Sequence, residues 1–164
     1  MPKLFVASDH AGFALKETVI DFVRDQGYDV EDFGAFEFHK EDDYPDFMTP
    51  LARKVAEHPE DGGARGIIIG GSGQGEAMCV NRIRGVRAAV FYGPIRAAGE
   101  IESEGGGSED GYDAVRLARR HNDANVLSLG ARFIAEDEAR EAIRVFLDTP
   151  FSDLARHARR LSKF

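Results

Sequence analysis

Residues Gly70, Gly71, Ser72, Gly73, Gln74, Gly75 and Glu76 combine two chemical capacities within seven positions. Four glycines in six positions allow positive φ angles and close backbone approach, so successive N–H groups can converge on an oxygen anion. Glu76 follows directly. A carboxylate beside donors that can hold an oxyanion has the layout of an enolisation catalyst, with one group to take a proton and others to stabilise the charge left behind. The same residues admit plainer readings. A Gly-rich turn also serves as a phosphate cradle or simply as a tight turn, and a first-turn glutamate complements the helix dipole.

The elements around the loop decide where it sits. The apolar run Gly66, Ile67, Ile68 and Ile69 reads as a buried strand, and the residues after Glu76 as a helix. Strands are expected at residues 3–7, 29–33, 65–69, 87–91 and 125–129. Helices are expected from Leu15 towards Gly27, from Pro45 to about His58, after the Gly loop, and over 112–120, 136–147 and about 152–161. Strands alternating with helices predict an α/β fold: a doubly wound, Rossmann-like, five-stranded parallel sheet with helices on both faces. Ligands in such sheets lie beyond the C-terminal strand ends. Asp9 and His10 follow the first strand and the Gly loop follows the third. His121, Asn122 and Asp123 instead precede the fifth strand, so His121 reaches that site only from a second subunit or by an unusual loop.

A chain of 164 residues suits one domain, 1–164, with an acidic Gly-rich insertion at about 94–111 that reads either as a solvated loop or as a lid. The net charge of −8 argues against nucleic acid as a partner. Its distribution matters more. Residues 100–113 carry six acids and no Lys or Arg, whereas residues 156–163 hold Arg156, Arg159, Arg160 and Lys163 with no acid. An anion can therefore be attracted at the C-terminal end. No apolar run approaches the roughly 20 residues that span a bilayer, and no signal-peptide layout opens the chain, so the expected setting is cytoplasmic, without a membrane partner. The single cysteine, Cys79, excludes an intramolecular disulfide and a cysteine cluster for zinc, and it reads as a buried structural residue. His39, His58 and His157 show no metal-ligand spacing, so no metal site is expected.

Several patterns in order resemble the type B ribose-5-phosphate isomerases and their relatives, the galactose-6-phosphate isomerases. They are Ser8-Asp9-His10-Ala11-Gly12-Phe13 with Leu15-Lys16, Asp43-Tyr44-Pro45, the Gly71–Gly75 loop, and Asn81 with Gly85-Val86-Arg87-Ala88. His121-Asn122-Asp123-Ala124-Asn125-Val126, Leu129-Gly130-Ala131-Arg132, and Thr149-Pro150-Phe151 with Arg156-His157 and Arg159-Arg160 complete the set. The resemblance spans nearly the whole chain. It implies an aldose–ketose isomerase for ribose 5-phosphate and ribulose 5-phosphate, without metal or organic cofactor, acting as a homodimer or homotetramer with sites shared between subunits.

By that resemblance Glu76 would shuttle the proton between C1 and C2 through a cis-enediolate. The N–H groups of Gly71, Gly73, Gln74 and Gly75 would hold the enediolate oxygen, with Ser72 supporting the base or substrate. In part of the family the base is a cysteine just before the loop; here Gly70 stands there, and the glutamate-type branch matches better. Asp9, His10 and Tyr44 would contact sugar hydroxyls, His121 would assist ring opening beside Asn122, and Arg132, Arg156 and Arg160 would bind phosphate through forked guanidinium donors. The residues alone also admit Asp9 as a helix cap, Tyr44 as packing and Arg156 with Arg160 as a solvated helix face. The insertion keeps six-carbon sugar phosphates of the galactose or allose 6-phosphate type in view as substrates. The same residues are also compatible with a non-catalytic sugar-phosphate binding module and with a subunit that needs a homologous partner.

Overall fold

Three strands of the chain are almost wholly buried, and they form the centre of one parallel sheet. The computed structural model describes residues 3–58, 64–101 and 107–163. Strands β1 (Lys3–Ser8), β3 (Arg65–Gly70) and β5 (Val126–Gly130) run as near-continuous apolar segments, as expected for parallel strands covered on both faces. The less buried β2 (Asp29–Asp32) and β4 (Ala88–Phe91), of which only β2 is polar, lie at the edges, giving the order β2-β1-β3-β5-β4. All neighbouring pairs are parallel. The chain moves from β1 outward to β2 and then returns to β3 on the other side, so the winding reverses between β1 and β3. The segments after Ser8 and Gly70 open at that reversal, where a doubly wound sheet leaves a crevice.

Alternation of side chains along the central strands divides the core in two. Leu4, Val6, Ile67, Ile69, Leu127 and Leu129 pack with α1 (Phe13–Asp25), α4 (Asp113–Asn122) and α5 (Glu136–Asp148). Phe5, Ala7, Ile68 and Val126 meet α2 (Pro45–Ala56) and α3 (Gln74–Val80) on the opposite face. Gly12 permits the tight entry into α1: a Cβ there would lie 2.4 Å from the Ile69 carbonyl oxygen. Lys16, fully buried on α1, holds the chain that follows β2 by donating to both Asp32 carboxylate oxygens and to the Ala35 carbonyl.

Most expected boundaries move by one to three residues, and two of the shifts have a visible cause. Arg87 is not the first residue of β4; its side chain instead reaches the carbonyls of Asn122 and Asp123 and the Asp123 carboxylate. The last helix, α6 (Ala155–Leu161), begins after Ser152, because Asp153 adopts φ 49° and the Ser152 hydroxyl bonds to His157 Nδ1 at 2.7 Å. A residue in the left-handed region does not continue a right-handed helix. Cys79 is half-buried rather than buried, with its sulfur 3.5 Å from Thr49 Oγ1.

The acidic insertion leaves and re-enters the fold at one place. Ile95 N–H donates to the Gly111 carbonyl at 2.9 Å, which brings its two ends together. Arg116 on α4 binds Ser108 and Asp110 on the returning arm and Asp113 at the start of its own helix. Residues 102–106, with Glu102 and Glu104, lie outside the described residues.

Candidate active site

Strand β3 delivers the Gly loop to the crevice, and α3 folds its first turn back over the strand end. Glu76 is 4 % exposed. A Cβ built on Gly70 would stand 1.8 Å from Glu76 Oε1 and 2.1 Å from Cδ, so the carboxylate occupies the space a side chain at residue 70 would need. Burial pushes the Glu76 carboxyl above the ordinary glutamate range; its own backbone N–H counteracts this and the charge of Asp9 adds to it. Desolvation disfavours the ionised form, which makes the group a better proton acceptor once it is ionised.

The loop itself is fastened from behind. Ala131 and Arg132 N–H groups donate to the carbonyls of Gly70 and Gly71, and the Gly73 carbonyl accepts from Ala77 N–H and from buried Ser128 Oγ at 2.7 Å. Gly73 takes φ 73°, a conformation that favours glycine. Half-buried Ser72 accepts from Gln74 N–H at 3.3 Å. Two side chains lie close over the loop: a Cβ on Gly75 would meet the Tyr44 hydroxyl at 2.8 Å, and one on Gly71 would meet the Arg132 guanidinium at 3.2 Å.

The β1–α1 turn supplies the facing wall. Asp9 is buried, and its Oδ1 accepts from Ala11 N–H at 2.8 Å and Gly12 N–H at 3.1 Å, which closes the turn ahead of α1; the helix cap itself is Gly12, not Asp9. His10 Nδ1 lies 2.6 Å from Asp42 Oδ1, which also accepts from His10 N–H at 3.2 Å. Ligand atoms of Asp9, His10 and Asp42 fall within 4.8 Å of one another. Asp9 Oδ1 is engaged by two backbone donors and Asp42 Oδ1 by His10, so the group is knitted by its own hydrogen bonds.

At the other edge of the sheet a second cluster forms. His121 lies in the last turn of α4 beside α6, its ring centroid 4.2 Å from that of buried His157. A cavity of about 150 Å³ is lined by Arg120, His121, Ser152, Arg156 and His157 with Pro150 and Leu154. Burial lowers the His121 pKa, and Arg156, Arg160 and Arg120 lower it further. Exposed Asn122 adjoins Arg87, the residue just before β4. The structure therefore gathers Asp9, His10, Tyr44, Gly71, Ser72, Gly73, Gln74, Gly75, Glu76 and Arg132 at one edge, and His121, Asn122, Arg156 and Arg160 at the opposite one. At about 3.3 Å per residue, the length of β5 holds these edges roughly 16 Å apart.

The family model for ribose/galactose isomerases matches residues 4–104 and 109–164, almost the entire chain. The chain belongs to the ribose/galactose isomerase family. Ribose-5-phosphate isomerase B of Mycobacterium leprae is 33 % identical over 159 residues, covering 97 % of this chain and 85 % of that relative. The crystal structure of ribose-5-phosphate isomerase B from Mycoplasma genitalium with bound ribulose-5-phosphate superposes with a TM-score of 0.83 at 33 % identity, covering 98 % of this chain and 92 % of that one. The corresponding Clostridium thermocellum enzyme gives a TM-score of 0.80 at 35 % identity, with 98 % and 93 % coverage. The break in the family match, between residues 104 and 109, falls inside the acidic insertion.

Sequence reasoning missed Asp42, Ser128 and the placement of His157. Ser128 had a visible signal, as the one hydroxyl among the apolar residues Val126, Leu127 and Leu129 of β5. Asp42 had none, since it sits in the acidic run Glu41-Asp42-Asp43 and only the folded loop distinguishes it from its neighbours.

Proposed function

We propose that the protein is an aldose–ketose isomerase interconverting D-ribose 5-phosphate and D-ribulose 5-phosphate, with Glu76 as the base. The observation that carries this reading is the buried Glu76 carboxylate folded against Gly70 at the mouth of a loop that can present N–H donors. In the aldose-to-ketose direction, Glu76 takes the C2 proton of the open-chain sugar. The electron pair left on C2 passes into the enediolate, whose oxygen is held by N–H groups of Gly71, Gly73, Gln74 and Gly75. The protonated carboxyl then returns its proton to C1 while the hydroxyl proton on O2 passes to O1, which leaves C2 as the carbonyl carbon. Every atom is conserved, so no redox partner enters the balance. Ser72 supports the base or the substrate, Asp9, His10 and Tyr44 contact sugar hydroxyls, and Arg132, Arg156 and Arg160 bind phosphate. His121, beside Asn122, assists ring opening; a lowered pKa suits an imidazole that accepts a proton near neutrality.

We further propose a homodimer or larger homo-oligomer of a single-domain chain, because a two-fold axis can set the His121 edge of one subunit against the Glu76 edge of another. The deciding assay is conversion of ribose 5-phosphate with solvent deuterium exchange at the reacting carbon, in the wild type and in Glu76→Gln. The amide keeps the shape and cannot accept the proton, so turnover should fall by about 10²-fold or more. Retained turnover and exchange in that variant would overturn the assignment of the base. Mixed Glu76→Gln and His121→Ala chains should regain activity that each lacks alone, and absence of rescue despite subunit exchange would refute the shared site.

A further inference from the structure

We propose that Asp42 is the positioning residue for His10, fixing its ring orientation and tautomer for the substrate; this rests on the proposed role of His10 in meeting the sugar phosphate. Residues 36–41 are exposed, and the next residue, Asp42, turns inward, its side chain 7 % exposed. Withdrawing a carboxylate from water is costly unless hydrogen bonds replace hydration. Its hydrogen bonds go to one residue: Oδ1 receives both the backbone N–H and Nδ1 of His10, while Oδ2 has no hydrogen-bond partner among the described residues.

Tethering the loop to the β1–α1 turn would require only the backbone bond at 3.2 Å. The second contact, at 2.6 Å, acts on the ring. An ionised carboxylate only accepts, so the proton of a neutral His10 must reside on Nδ1, leaving Nε2 as the lone-pair nitrogen. The Phe38 ring stands edge-on at 6.4 Å and rests in turn against Phe13 at 6.3 Å, bracing the imidazole from a second side. A χ2 flip would exchange Nδ1 for carbon and break the short bond. His39 provides a contrast within the same loop: it pairs with Glu37 at 3.5 Å, but both side chains are more than 70 % exposed, so that pair holds nothing in place.

Three variants separate positioning from mere folding. Asp42→Ala removes the acceptor, whereas Asp42→Asn should keep it, because the His10 backbone N–H requires an oxygen at the Oδ1 site and so orients the amide. Long-range ¹⁵N–¹H spectra of histidine-labelled protein, with His10→Ala assigning the signal, should show the Nδ1–H tautomer in the wild type and in Asp42→Asn, and a mixture in Asp42→Ala. Isomerase kcat/KM should fall about tenfold or more in Asp42→Ala and less than about threefold in Asp42→Asn. In a His10→Ala background, Asp42→Ala should cost less than about twofold more. A full further loss in that background, or an unchanged His10 tautomer in Asp42→Ala, overturns the proposal. A wild-type chain inactive on ribose 5-phosphate would overturn the functional reading instead, and the spectra would still decide whether Asp42 governs His10.

Discussion

Replacing Gly70 by alanine should disable turnover without unfolding the protein. The added Cβ would lie 1.8 Å from Glu76 Oε1, and contacts shorter than about 3 Å are not tolerated, so the carboxylate must retreat by about 1.2 Å. The nearest atoms are the far end of a flexible side chain rather than backbone, so the retreat is local. Misplacing a reacting group by about 1 Å costs on the order of 10²-fold, or about 2.7 kcal/mol of barrier. Because burial is the main cause of the raised Glu76 pKa, a displaced and better-hydrated carboxyl should also titrate lower and become a weaker base. Steady-state ribulose 5-phosphate formation and deuterium exchange should therefore fall together while KM changes little. Gly99→Ala, where a Cβ meets no atom within 4 Å, serves as the neutral control. A folded Gly70→Ala enzyme with kcat within threefold of wild type would refute the claim that this placement of Glu76 supports catalysis.

Asp9→Asn should move the acid limb of the kcat/KM profile to lower pH, because removing a like charge lets Glu76 ionise more readily; an unmoved limb would break the link between the two carboxylates. Arg156→Ala and Arg160→Ala should each weaken substrate binding by about 1.5–3 kcal/mol, read as KM or as calorimetric affinity, with a much smaller defect for an unphosphorylated sugar. Equal defects for both would indicate a structural role. Arg156→Ala should also raise the His121 pKa in a histidine NMR titration, since a neighbouring positive charge is lost. Replacing residues 96–110 by a short Gly-Ser connection should preserve folding and deuterium exchange while changing the preference between pentose and hexose phosphates; unchanged kinetics on both sugars would identify the insertion as a solvated loop.

The sheet was legible because its three central strands are short, apolar and bounded by glycine or polar residues, and because Ile67, Ile68 and Ile69 leave little room for anything but a buried strand. The placement of His121 before the fifth strand, opposite the Gly loop, followed from the same reading and is what the fold shows. Asp9 illustrates how a local reading can miss by a few residues: Gly12, not Asp9, is the cap of α1, and Asp9 closes the preceding turn with one oxygen while lying at the crevice. Contacts set by tertiary placement were not legible. Nothing in the spacing of residues 36–44 distinguishes Asp42 from its acidic neighbours, and no local rule predicts that the Glu76 side chain folds back over Gly70. The start of α6 lies three residues later than expected because the Ser152 hydroxyl is committed to His157 and Asp153 turns left-handed, neither of which a local pattern reveals.

The bond from Ile95 to Gly111 makes the length of the insertion almost free to vary. Since its ends are already joined, extending the excursion changes only the entropy of closing a loop, about 0.6 kcal/mol for each doubling. Strands and crevice need not register a change made beyond the arm that Arg116 fastens to α4, because the neck is closed by the fold itself. This stretch is accordingly where lineages can drift in length at little thermodynamic cost. It is also where a foreign peptide or a reporter domain can be spliced in while the catalytic scaffold keeps its geometry.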